Sequence, residues 1–156
     1  MTYRTHIIGG AALAVLVHKY GLHVPEIEMI GYYAGAMVGS LLPDLDHPHS
    51  WISHKTVILY YPFQQFGHRK ATHSLLAVIL LLTLLNFLFG INNITLGIGL
   101  GYLSHLILDM LNPLGVPLLY PFIKHKYKIG KIRTGESGEY IVAVLLIIFI
   151  TYVFLK

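Results

Sequence analysis

The chain has 156 residues, of which 55% are hydrophobic and only 12% charged, with a mean hydropathy of +0.66. Soluble domains carry about twice that share of charge, and a chain this short cannot bury so much apolar surface in its own interior, so lipid is expected to cover part of it. Cysteine is absent, which excludes disulfides, thiolate ligands and a cysteine nucleophile, and the formal charge of +4 sits in loops beside apolar runs, as membrane topology requires and nucleic-acid binding does not.

Thr5 to Val17 is predicted as a first helix, opened by His6 and rich in Gly and Ala. His18-Lys19-Tyr20 follows it instead of a small-residue cleavage site, so it is expected to stay as a membrane helix. After the turn Gly21 to Pro25, a second helix runs from Glu26 to Leu42 and is stopped by Pro43. Gly31, Gly35 and Gly39 mark one face of it at four-residue intervals, a stripe that lets another helix approach closely in a bilayer. Asp44 to Thr72 is polar and aromatic and is predicted as a loop with short helical pieces, with Val57 to Phe63 at the interface. His73 or Ser74 opens a third, Leu/Ile-rich helix that ends at Phe89, before the turn Gly90 to Asn93. The fourth helix, Ile94 to about Leu111, carries Gly97 and Gly101 and ends at Asn112-Pro113. A second loop from Pro113 to Gly138 holds Lys124, Lys126, Lys128, Lys131 and Arg133, and the last helix is Glu139 to Leu155.

The expected fold is therefore all-α, a polytopic membrane protein of about five transmembrane helices forming a single domain over residues 1–156. Five crossings put nine cations, from Arg4, Lys55, Arg69, Lys70 and the second loop, on one side, against Lys19 and Lys156 on the other. Such an asymmetry makes the first side, with the N-terminus and both polar loops, cytoplasmic in a cell (inner) membrane.

The chemistry collects at the same helix ends. His105 and Asp109, at i and i+4, share one face of the fourth helix; the plain alternative is a His–Asp pair that only ties helices together. Asp44 and Asp46 would both face one centre if their segment is extended, and otherwise form an ordinary acidic turn. His68 and His73 flank the start of the third helix, where a histidine is more often a cap or a surface residue, and His6 alone would mean little. What gives these residues weight is convergence, since four separate regions deliver Asp and His to one membrane face. His6, Asp44, Asp46, His68, His73, His105 and Asp109 are the predicted ligands of one or two divalent ions, zinc first, with manganese or iron as alternatives because oxygen donors are abundant. Helices 1, 2 and 4, the Gly-rich ones, should surround the site, and helices 3 and 5 should face lipid. His47, His49 and His54 lie near the site in sequence, Glu139 is either a helix-start carboxylate or a site residue, and His18, His23 and His125 are expected outside it.

The ordered set His6, then Leu42-Pro43-Asp44-Leu45-Asp46-His47, then His68-Arg69-x-x-Thr72-His73-Ser74, then Gly101-Tyr102-Leu103-Ser104-His105-x-x-Leu108-Asp109 resembles the YdjM-like family. That family is described as LexA-regulated, membrane-bound metal-dependent hydrolases, and the resemblance covers roughly residues 5–140. The His-x-x-x-Asp element is also similar, more weakly, to the zinc-dependent phospholipase C pattern. The resemblance implies a hydrolase of the inner membrane. With the ligand set above, the expected reaction is metal-assisted hydrolysis of an ester or phosphoester, small or lipid-linked, at the cytoplasmic surface. Asp44 and His73 are the expected catalytic groups, and Arg69 or Lys70 the cation holding an anionic substrate. The rival readings are a metal or proton transporter and a metal-stapled structural protein.

Overall fold

Thr2 and Gly21 bound the first helix, α1 (Tyr3–Tyr20), which runs three residues past Val17 with His18 and Lys19 in its last turn, where cations favour the helix dipole. The computed structural model describes residues 1–46 and 70–156, and there it gives five α-helices, no strand and one isolated antiparallel bridge between Val116 and Tyr127. The second helix, α2 (Glu26–Gly39), stops three residues earlier than Pro43 demands. The chain then turns into a short 3-10 helix, Leu42–Asp46, so Asp44 and Asp46 are not on an extended segment. Ser74 caps α3 (Leu75–Phe89), its hydroxyl accepting from the Ala77 amide. A reciprocal Asn92–Thr95 capping box opens α4 (Asn93–Met110), and α5 (Ser137–Leu155) completes the set.

The glycine stripe sets how the bundle packs. A Cβ on Gly35 would lie 2.6 Å from the Ile94 carbonyl oxygen, and one on Gly10 would lie 2.6 Å from that of Ala36. Backbones of α1, α2 and α4 thus touch where glycine removes the side chain, and α4 packs most extensively on α2 and then on α1. By contrast, α3 buries only Val78 and lies against α4, while α5 lies against α1. Their outer faces expose Ile79, Leu80, Leu84 and Phe87 on α3 and Ile141, Leu145, Ile148 and Phe154 on α5. The expected division into a Gly-rich core and a two-helix apolar wall is the one observed.

Of the five helices, α5, at 19 residues, is by itself long and apolar enough to cross a membrane; α3 is apolar but has 15 residues. The direction of each helix brings the start of α1, the end of α2, the start of α3, the end of α4 and the start of α5 to one end of the bundle, as the contacts at that end record.

Candidate metal centre

His105 and Asp109 stand one turn apart on α4, fully buried, with His105 Nε2 3.8 Å from Asp109 Oδ2. The Nδ1 of His105 lies 2.7 Å from the Ser40 carbonyl oxygen just beyond α2. A carbonyl only accepts, so Nδ1 carries the proton and Nε2 turns its lone pair inward. His73, immediately before the α3 cap, is held similarly. Thr72 donates its one hydroxyl proton to the Asp46 carboxylate, which leaves its oxygen to accept from His73 Nδ1 at 3.0 Å. The second imidazole therefore also presents Nε2.

The two Nε2 atoms are 3.3 Å apart. Asp109 Oδ2 lies 3.7 Å from His73 Nε2, and Asp44 Oδ1 lies 3.9 Å from His73 Nε2 and 3.8 Å from His105 Nε2. The two imidazole nitrogens thus lie 3.3 Å from each other and 3.7–3.9 Å from one oxygen of each of the two carboxylates. A tetrahedral ion with bonds of about 2.0–2.2 Å needs its donors roughly 3.3–3.6 Å apart, so the two imidazoles stand at that spacing and the carboxylate oxygens a few tenths of an ångström beyond it, and the nitrogen and oxygen donors suit a divalent metal. Three of the four side chains are buried, and Asp44 keeps 18% of its side chain exposed, which makes it the accessible edge of the group.

His6 stacks on His105, with ring centroids 3.7 Å apart and planes 11° from parallel. Its Nε2 is 3.3 Å from Asp109 Oδ1, and its buried Nδ1 has no hydrogen-bond partner among the described residues. His6, Asp44 and His105 form a second triplet whose donor atoms lie within 4.8 Å of one another, overlapping the triplet His73, His105 and Asp109. Five of the seven predicted ligands therefore meet. Asp46 stands apart from them: its Oδ2 is 4.0 Å from His73 Nδ1, the nitrogen facing away from the cluster. In the 3-10 turn alternate residues do not point the same way, so Asp46 orients His73 through Thr72 while Asp44 enters the cluster. His68, Arg69, His47, His49 and His54, and the interfacial stretch 57–63, lie outside the described residues.

Glu139 is buried and serves as an anchor. It accepts from the Thr2 amide and hydroxyl, from the Thr5 hydroxyl and from the Gly135 amide, which fixes the first turn of α1 and with it His6. Neither the Ser40 carbonyl nor the Met1 amino group, 2.6 Å from Asp109 Oδ1, was expected from sequence. Thr72 could have been found: a hydroxyl directly before a candidate ligand is placed to hold it. His23 and His125 are exposed and His18 is partly exposed beside Tyr32 and Tyr33, all away from the cluster.

Residues 1–156 match, over the whole chain, the family described as YdjM inner membrane protein. The chain belongs to the YdjM family. It is 38% identical over 130 residues to the inner membrane protein YdjM of Escherichia coli (strain K12), and equally to that of Shigella flexneri. The alignment takes in 78% of this chain and 66% of theirs, so the chain spans just under two thirds of those relatives. YvsG of Bacillus subtilis (strain 168), an uncharacterized protein, is 34% identical over 144 residues, 91% of this chain and 87% of that one. No solved structure matches significantly. The YdjM names carry a membrane location, in agreement with the apolar outer faces of α3 and α5, and no reaction.

Proposed function

We propose that this YdjM-family chain is a multi-pass, metal-dependent hydrolase of the inner membrane, acting at the cytoplasmic surface on an ester or phosphoester. The observation that carries the reading is the convergence of His73 Nε2, His105 Nε2, Asp44 Oδ1 and Asp109 Oδ2 at metal-ligand spacing. A divalent ion held there, zinc before manganese or iron, supplies Lewis acidity toward an ester or phosphoester oxygen and toward water. The protein's part is orientation and exclusion: Ser40 and Thr72 fix the two rings, burial keeps bulk water from three donors, and Asp44 faces the opening where substrate arrives. Asp44 is also placed to take a proton there, and Lys70, exposed two residues before Thr72, supplies positive charge for an anionic group. A second ion beside the first would draw on His6 and on the carboxylates of Asp44 and Asp109, because His105 has one nitrogen to offer and the two triplets share it.

All five helices cross the membrane in this reading. Composition over a whole helix understates α1, α2 and α4, because their Gly, Tyr, His and Ser residues pack against one another and only their outer faces meet lipid. A transporter would carry its ligands near the midplane, whereas these donors share one end of the bundle.

Metal analysis and a panel of soluble and lipid phosphoesters test the assignment together. The purified chain should hold one or two divalent ions and turn over a phosphoester, and His105→Ala and Asp109→Ala should each lose both properties. Full metal retention in both variants would overturn the site; metal flux in proteoliposomes without turnover would replace the hydrolase by a transporter.

A further inference from the structure

Beside the donor cluster lies a cavity of about 520 Å³ whose walls are almost entirely apolar. It shares a wall with the cluster. Leu42 and Leu45 line it and flank Asp44, while Thr72 lines it and hydrogen-bonds both Asp46 and His73. From there it runs along α3 past Ala77 and Leu80 to Leu84, about 12 Å of helix rise from Leu76. Leu80 and Leu84 are 60% and 53% exposed on the face of α3 turned away from the bundle, so the cavity opens sideways where lipid tails lie. At the cluster end, exposed Lys70 directly precedes Ala71 in the wall. Apolar along its length and cationic at its mouth, the slot complements a chain with an anionic head.

The geometry points to this slot as the site for one hydrocarbon chain of a membrane lipid phosphoester, with the phosphate at the cluster end beside Lys70 and the chain along α3. Its volume falls in the range, about 300–1,000 Å³, of sites that enclose a ligand. The inference deepens the hydrolase reading and rests on it for the reaction. There water adds to phosphorus, the bond from phosphorus to the lipid oxygen breaks, and the lipid alcohol leaves with a proton from that water. Binding in the slot stands on the cavity alone.

The test uses the full-length chain in lipid vesicles and hexadecyl phosphate carrying a mid-chain diazirine. Photolabel should map to residues 76–84 or 42–45 and be lost in Ala77→Trp and in Leu84→Trp; the latter replaces a half-exposed side chain and keeps the test alive if Ala77→Trp does not fold. Label elsewhere, or label unchanged in both folded variants, overturns the slot. His105→Ala should keep the label. Slot labelling in a protein without turnover therefore rejects the hydrolase and retains the slot, whereas turnover of a soluble phosphoester without slot labelling rejects the slot alone.

Discussion

His105 and His73 present the same nitrogen with different support, one ring held by a backbone carbonyl and the other by a hydroxyl that answers to a carboxylate. That difference separates ligands from the groups that orient them. Removing a ring, as in His73→Ala, should abolish metal binding. Asp46→Asn or Thr72→Val leaves every converging donor in place and should lower metal affinity about 10–100-fold at unchanged stoichiometry, read by titration against a chromophoric chelator. Loss of stoichiometry in Asp46→Asn would instead make Asp46 a ligand. The cluster was legible because Asp and His inside or beside apolar helices are costly unless paired or used. The support was less so: any residue could have supplied the carbonyl of Ser40, and the role of Asp46 turned on whether residues 42–46 were extended or wound.

Helices meet here through missing side chains. On α4, a Cβ at Gly101 would run into the Ala36 carbonyl of α2, whereas one at Gly99 would meet the end of the Leu82 side chain at 2.7 Å. Backbone cannot step aside and a leucine rotamer can. Gly101→Ala should therefore cost about 1–3 kcal/mol or more in folding stability and Gly99→Ala clearly less, measured as the shift in unfolding midpoint in one detergent. Equal shifts would mean that the α2–α4 contact is looser than drawn. The four-residue glycine spacing announced this contact in the sequence, and α3 and α4 began within two residues of where their caps indicated. The end of α2 was misplaced because Pro43 marks where a helix must have stopped, and the chain can leave it sooner.

At the scale of the molecule, charge and chemistry select the same end of the bundle. The donor residues lie where α1 and α3 begin and α2 and α4 finish, with the Glu139 anchor at the start of α5, and the exposed loop cations Lys124, Lys126, Lys128, Lys131 and Arg133 belong to the connection between α4 and α5. In the Cys-free chain, a cysteine placed at Lys131 should react with a membrane-impermeant thiol reagent only from the cytoplasmic side, and one at Lys19 only from the outer side. Labelling of both from one side would overturn the proposed five crossings and leave the donor cluster untouched. The up-and-down order of the helices was readable because short turns and polar loops separate the apolar runs. Hydropathy over a whole helix singles out α5 alone, since in α4 it also counts buried glycine, tyrosine and histidine.

The grip of Glu139 on Thr2 and Thr5 gives the site a place in time. The partners Thr5 and Glu139 are 134 positions apart, and at about 5–20 residues per second the ribosome needs roughly 7–27 s to make the second after the first. Through that interval the opening turn of α1 has no carboxylate to hold it, and His6 is not yet fixed over His105. A half-made chain thus lacks His105, Asp109 and the Glu139 anchor together, so the donor cluster is completed and fixed late in synthesis.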